Sequence, residues 1–176
     1  MTAKFHKLTG NWITKTVADP VSGGTSADEN VETQSTFDGL NNQVTLTAVN
    51  PITGNQITKY LYEDSYNATL QTSEIYPDSS DTNSSGTDQV KTTYYLDGNI
   101  KTQTDQNGNV KTFSYDAYRR PIADTVTTLG NGVDDTVRKI ARTYTTQGAL
   151  EKVSSIDSQN TILNEVKYEY DANLKL

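Results

Sequence analysis

Polar and apolar positions alternate along much of this chain with a period of two residues. The clearest runs are VTLTA, from Val44 to Ala48, and VKYEYD, from Val166 to Asp171. This period is typical of β-strands, because successive side chains of a strand point to opposite faces of the sheet. Helical stripes are nearly absent, so the sequence predicts an all-β chain.

Turn-forming dipeptides separate the strand-like runs at short intervals. Asn-Gly and Asp-Gly tolerate the positive φ angles of two-residue hairpin turns. The turn signals are Asp38-Gly39, Gly54-Asn55, Asp97-Gly98, Asn107-Gly108, Asn131-Gly132 and Gln147-Gly148. We therefore expect successive antiparallel β-hairpins in a curved sheet.

Two polar stretches interrupt this rhythm, at residues 18–30 and 77–89. Both are rich in turn-forming residues and poor in core-forming ones, so they predict long exposed loops, the second at the tip of a hairpin. Residues 1–17 contain Trp12, Ile13 and Val17 and predict a leading strand pair. The expected organisation is thus leading strands and a polar linker over 1–30, then hairpin repeats over 31–176 with a long polar loop at 77–89.

An internal repeat is the most informative feature of the sequence. Each copy has an aromatic strand, a short turn and an aliphatic residue that opens the next strand. The aromatic anchors are Phe37, Tyr62, Tyr95, Tyr115, Tyr144 and Tyr170. Such hairpins are marginal alone, so each needs neighbours that cover its edges. The acid after the anchor, as in Asp116, sits at a turn and accepts hydrogen bonds from backbone amides.

The stretch NGNVKTFSYDAYRRPI, residues 107–122, resembles the RHS or YD repeat. Its Asn107-Gly108 pair matches the leading turn, Tyr115-Asp116 the signature pair, and Arg120 the trailing part of the motif. Arg119 stands where the family usually has glycine. The other signature positions that match, some of them loosely, are Tyr62, Tyr95, Asp97, Tyr144, Tyr170 and Asp171.

The resemblance implies a β-ribbon of YD hairpins that spirals into a hollow shell. In bacterial members the shell encloses a toxic segment, and in others a similar barrel lies at the cell surface. It also implies a fragment of a larger protein, secreted or on the surface of a bacterium, which pairs with neighbouring RHS/YD repeats of the same or a partner chain. No signal peptide occurs in this segment, and no self-cleavage signature was found.

Charge and composition exclude several functions. A net charge of −7 and a pI near 4.6 argue against nucleic acid as a partner, since phosphate contacts need a basic face. No stretch approaches the length of a membrane span, so membrane insertion is not expected. The chain has no cysteine, which rules out disulfides and thiol catalysis.

Enzymatic chemistry finds little support in the sequence. His6 is the only histidine and lies near the amino terminus, where it makes a poor base for a nucleophile. The acids occur at turn positions in register with the repeat. We therefore expect a non-enzymatic protein that needs no cofactor.

A calcium site in the second polar stretch is the one metal hypothesis. The residues DTNSSG, 81–86, place oxygen ligands at alternating positions with glycine at the sixth, as calcium loops do. The closing Glu is missing, because Thr92 occupies its place. The candidate ligands are Asp78, Asp81, Asn83 and Asp88.

The repeated tyrosines also suggest a different function, as a carbohydrate-binding or adhesin module. Aromatic faces stack on sugar rings, and neighbouring acids accept hydrogen bonds from sugar hydroxyls. Tyr115, Tyr118 and Arg119 are the candidate ligand-binding residues, with surface glycans as the partner. The competing interpretation is that the tyrosines pack along a stack of hairpins and that the arginines pair with Asp116 or Asp124.

Overall fold

The structure is a computed structural model of the chain. It describes residues 6–8, 11–18, 31–50, 54–78, 80, 82–83 and 86–171. The chain divides into two compact units, Met1–Lys91 and Thr92–Leu176. The boundary predicted near residue 30 borders on residues that are not described, and it stays a prediction.

The first unit is built from antiparallel strands that pair in sequence order. Its first two strands pair with each other and lie in the segment for which a leading strand pair is predicted. The strands are β1 His6–Leu8, β2 Asn11–Ala18, β3 Val31–Phe37, β4 Gln43–Val49, β5 Gln56–Leu61 and β6 Ser73–Ile75, and β7 Gln89–Tyr94 begins in this unit.

The second unit continues the same architecture from the end of β7. Its strands are also antiparallel and neighbour one another in sequence order. They are β8 Ile100–Thr104, β9 Val110–Tyr115, β10 Pro121–Thr128, β11 Lys139–Tyr144, β12 Leu150–Ile156 and β13 Ile162–Lys167. The predicted fold class, all-β with successive antiparallel hairpins in a curved sheet, is confirmed. Among the described residues there is no helix, and hence none long and apolar enough to cross a membrane.

One five-residue turn recurs through both units. The amide of its first residue donates to the carbonyl of the fifth, and the first carbonyl accepts from the amide of the fourth. The fourth residue has positive φ, between 62° and 93°. This is a type I turn followed by a bulge residue in the left-handed region. The turns span residues 38–42, 95–99, 105–109, 116–120, 145–149 and 157–161.

The predicted two-residue turns are therefore wrong at most of the sites. At residues 38–42 the positive φ belongs to Asn41 and not to Gly39. Asn131-Gly132 lies inside the longer loop between β10 and β11 and closes no tight hairpin. In the five-residue turns, three residues separate the paired ends of the strands instead of two. The extra residue forms a bulge, which strengthens the twist of the strands.

Very little of the described chain is buried. Among the residues whose burial the structure describes, which begin at residue 32, the buried apolar side chains are Ile75, at 0% exposure, and Ala123, at 8%. Buried polar residues join them, such as Gln89, whose Nε2 donates to the carbonyl of Asn83. A sheet this thin gains little from core burial, so its side chains must be braced locally.

The loop after β10 packs closely on a hairpin tip. The Gly130 amide donates to Oδ1 of Asn109 at 2.8 Å. Asn107 Nδ2 donates to the carbonyl of Asn131 at 3.4 Å. A Cβ added at Gly130 would lie 2.2 Å from the Asn107 carbonyl oxygen, so this contact requires glycine.

Candidate functional site

The Tyr115-Asp116 pair stands where β9 enters its turn. Asp116 is the first turn residue, and its Oδ1 accepts the backbone amides of Tyr118 and Arg120, both at 2.9 Å. Aspartate favours this place because its short side chain reaches amides two and four residues ahead. The predicted role of Asp116 as a turn acceptor is thus what the structure shows.

Arg120, the fifth turn residue, closes the other side of the carboxylate. Its Nε and Nη2 lie 2.7 and 2.6 Å from Asp116 Oδ2. The guanidinium carbon also lies 4.3 Å from the ring centroid of Tyr144. Tyr144 belongs to the next hairpin along the same rim, where a rim is one of the two rows of turns that join the strand ends. An arginine over an aromatic face is attracted by the ring quadrupole. Arg120 therefore links the turn of one hairpin to the aromatic residue of the next.

Other turns use the same carboxylate arrangement. Asp38 and Asp105 accept two backbone amides each on Oδ1, and Oδ2 of each accepts the Nδ2 of the Asn at the fifth position. Desolvation raises the pKa of Asp38, Asp105 and Asp116, but hydrogen bonds from the turn outweigh it and hold each pKa below the ordinary value. For Asp116 the charge of Arg120 adds to this lowering.

The signature tyrosines carry a second repeated contact. In three of them, Tyr62, Tyr144 and Tyr170, the hydroxyl donates to the carbonyl of the residue directly after the preceding turn on the same rim. The contacts are Tyr62 to Gln43 at 3.0 Å, Tyr144 to Pro121 at 2.8 Å and Tyr170 to Leu150 at 2.8 Å. These tyrosines thus tie adjacent hairpins together within each unit.

Tyr95 departs from this pattern. It is the first residue of its turn, the place that Asp116 has, so Tyr94 corresponds to Tyr115 and the sequence alignment is shifted by one residue. Asp97 is the third turn residue, and its carboxylate accepts the amide and Nδ2 of Asn99.

The ring of Tyr95 is directed forward along the rim. Its hydroxyl donates to the Phe113 carbonyl at 3.1 Å, and its ring meets that of Tyr115 edge to face, with centroids 6.2 Å apart. Aromatic packing between neighbouring hairpins is therefore present at this pair, whereas Tyr144 meets Arg120 instead.

A groove opens between the 95–99 and 116–120 turns, with a volume of about 510 Å³. Its walls are Tyr95, Leu96, Asp97, Ser114, Tyr115 and Asp116. The hydroxyls of Ser114 and Tyr115 make no hydrogen bond to any residue of the described chain. Burial, followed by the charges of Tyr95 and Asp97, raises the pKa of Tyr115. The groove thus offers unused hydroxyls beside aromatic rings.

The remaining candidate ligand residues belong to the 116–120 turn, which borders this groove. Arg119 Nε is 3.6 Å from Asp97 Oδ2, and its side chain is 66% exposed. Tyr118 is 82% exposed, with the Arg120 guanidinium 5.3 Å from its ring centroid. Asp124 pairs with Arg142 across β10 and β11 instead. The structure brings Tyr115, Tyr118 and Arg119 to one region, and their binding of a ligand stays a prediction.

Other predicted residues lie outside this region. Asn107 and Gly108 form the tip of the opposite rim, and Asp171 is exposed after β13. Among the calcium candidates Asp81 lies outside the described residues, so that hypothesis stays a prediction. No cluster of three or more His, Cys, Asp or Glu side chains suited to a metal occurs in the described part.

Sequence reasoning missed the partners that lie far apart in the chain. Examples are Arg120 on Tyr144 and the hydroxyl pairs just behind the turns, Thr36 with Thr45 and Thr93 with Thr102, each at 2.6 Å. The hydroxyl pairs do have a sequence signal. In each pair, one threonine lies two residues before the first turn residue, and the other lies three residues after the fifth.

Comparison with known proteins agrees with this geometry. A family model described as RHS Repeat matches residues 94–133, which contain the Asp116 turn and the groove. Within residues 94–133 the chain thus matches the RHS repeat. No curated protein sequence matches significantly.

Solved structures resemble the chain in fold. The crystal structure of TcdB2-TccC3 aligns with a TM-score of 0.60 at 16% identity over 93% of this chain. That of TcdB2-TccC3-Cdc42 gives 0.59 at 16% identity over 93%, and that of TcdB2-TccC3 without its hypervariable C-terminal region gives 0.59 at 16% over 92%. This chain spans about 8% of the length of each.

Replacing Arg120 tests the link between successive hairpins. We expect Arg120→Ala to lower the free energy of unfolding by about 1–2 kcal/mol, since it removes a partly buried ion pair and a cation–π contact. Urea unfolding of the chain measures this change in free energy. Arg119→Gly is the matched control. It should leave stability unchanged or raise it by up to about 1 kcal/mol, because Arg119 has φ 62° and glycine adopts that region freely. Equal losses at both positions would contradict the assignment.

The turn carboxylates predict a loss of stability in acid. Their folded pKa values are lowered, so their contribution is complete above the unfolded aspartate pKa of about 3.9 and disappears as the pH falls through the folded values. Urea midpoints measured from neutral pH downwards should fall in this acidic range. Asp116→Asn should be less stable at neutral pH and lose less in acid. Parallel curves for the two proteins would refute this origin of the acid sensitivity.

Proposed function

We propose that this chain is a non-enzymatic structural segment of an RHS/YD β-shell, which encloses a toxin segment or presents a cell-contact surface. The observation that carries the proposal is the bracing of one hairpin by the next through Arg120 and the tyrosine hydroxyls. Because such contacts join each hairpin to the next, they allow a sheet to be extended by one hairpin at a time. The fold likeness to TcdB2-TccC3 supports the same role.

The acids of the repeat stabilise the sheet and take no part in a reaction. Asp116 has both carboxylate oxygens occupied by its own turn and by Arg120. A carboxylate held in this way is a poor general base, because its lowered pKa keeps it ionised and weakly basic. Under this proposal the protein acts outside the cell, within a larger secreted or surface protein.

Strand β13 offers the place where another repeat would pair. All six of its residues are exposed, including Ile162 at 55% and Val166 at 54%, and in the described chain it pairs only with β12. An open strand edge with apolar side chains recruits further strands. The partners are then neighbouring RHS/YD repeats of the same or a partner chain.

Sedimentation velocity over a concentration series tests this open edge. We expect reversible self-association of the isolated chain, reduced by Val166→Lys because a charge on an edge strand opposes pairing. Val133→Lys, in the exposed loop after β10 and 38% exposed in the native chain, is the matched control and should associate normally. A compact monomer at every concentration that unfolds cooperatively would point to an independent domain instead.

We propose carbohydrate binding in the groove as the second candidate function. The unused hydroxyls of Ser114 and Tyr115 lie beside the exposed ring of Tyr95 and the carboxylate of Asp97. The volume of about 510 Å³ lies in the range of small-molecule pockets. Because Asp97 and Asp116 both line the groove, a neutral sugar fits better than an acidic one.

A glycan array followed by titration of any neutral hit tests this second function. Tyr115→Phe keeps the ring and removes only the hydroxyl, so it should weaken binding about two- to tenfold through one lost hydrogen bond. Tyr66→Phe, at an exposed tyrosine outside the groove, should bind like the native chain. Absence of saturable binding to any neutral glycan would leave only the structural role.

A further inference from the structure

The chain contains two Asn-Gly pairs, Asn107-Gly108 and Asn131-Gly132. In such a pair the glycine amide nitrogen, after giving its proton to a base, can attack the Asn Cγ. The N–Cγ bond forms, the Cγ–Nδ2 bond breaks and ammonia leaves. Water then opens the succinimide to aspartate or isoaspartate. The reaction needs a free glycine amide and a side chain that can turn toward it.

Asn107-Gly108 is held on both reacting groups. The Gly108 amide donates to the Asp105 carbonyl at 3.0 Å, inside the five-residue turn. The Asn107 Nδ2 donates to the Asn131 carbonyl at 3.4 Å, and the Asn107 amide donates to Asp105 Oδ1 at 2.9 Å. Attack on Cγ would have to break the turn and turn the side chain away from its partner.

Asn131-Gly132 has the same sequence but a different environment. Both residues are exposed, and neither the Gly132 amide nor the Asn131 side-chain amide has a hydrogen-bond partner within the described chain. Gly132 has φ 75° and Gly108 has φ 81°. A Cβ built at either would meet nothing within 4 Å. Crowding and backbone angle therefore do not distinguish the pairs, whereas hydrogen bonding does.

We propose that Asn131 is a site of spontaneous deamidation and that the turn protects Asn107 from the same reaction. Water and a general base are the only co-reactants. The folded chain thus directs one self-modification to one of two identical dipeptides.

The modification changes the contact between the loop after β10 and the 105–109 turn. Gly130 fits against the Asn107 carbonyl with no room for a Cβ, and its amide is held by Asn109. An isoaspartate at 131 adds a methylene to the backbone one residue away and converts the backbone carbonyl that Asn107 holds into a free carboxylate. It also adds a negative charge to a chain of net charge −7. We expect the modified loop to leave the turn.

Peptide mapping by mass spectrometry tests the proposal on the folded chain, incubated in mildly alkaline buffer. Trypsin places the two pairs in separate peptides, residues 102–111 and 120–138. We expect deamidation at Asn131 to run several-fold to about tenfold faster than at Asn107, the factor that follows from the hydrogen bonds held only at Asn107. In urea the two rates should converge, because the protection belongs to the fold.

Two variants sharpen the outcome. Asn131→Gln should remove the fast signal from the 120–138 peptide, and Asp105→Ala should speed deamidation at Asn107 by loosening its turn. Equal rates at the two sites in the folded chain, or a faster rate at Asn107, would overturn the proposal. A rate difference that persists in urea would also overturn it, since the cause would then lie in the local sequence.

Discussion

The described sheet has almost nothing to bury its side chains against, and this constraint governs the rest of the structure. With Ile75 and Ala123 as the buried apolar residues among those whose burial is described, stability there has to come from paired backbones and from polar contacts at the turns. Hydrogen bonds and ion pairs contribute modestly one by one. Because these contacts recur in successive hairpins, their sum is large enough to stabilise the sheet. Each turn carboxylate and each bonded tyrosine hydroxyl contributes to that sum.

This constraint also explains why the short repeat signature can be recognised in the sequence. Asp116 and Arg120 lie four residues apart in one turn, and Tyr115 precedes them directly, so local geometry dictates their types. A packed core would spread the same requirement over many interchangeable apolar positions. The wall-like role proposed for the chain needs no further chemistry from these residues.

The sequence predicted the hairpin architecture and the function of Asp116 because both depend on neighbours a few residues apart. It did not predict the turn length, since the left-handed residue can be Arg119 as well as glycine. Two adjacent aromatics, Tyr94 and Tyr95, concealed the register of their turn. The stacking of Arg120 on Tyr144 depends on how hairpins lie beside one another in three dimensions. Because the loops that connect successive hairpins differ in length, no fixed sequence spacing marks this contact.

The tyrosine hydroxyl contact has a consequence for how such a chain can vary. The donor and acceptor are 19, 23 and 20 residues apart in the three contacts, yet each distance stays between 2.8 and 3.0 Å. The longest separation contains the extended loop between β10 and β11, on the opposite rim. One rim therefore sets the spacing of hairpins, and the other absorbs insertions, so sequence length can drift there without altering the pitch of the ribbon.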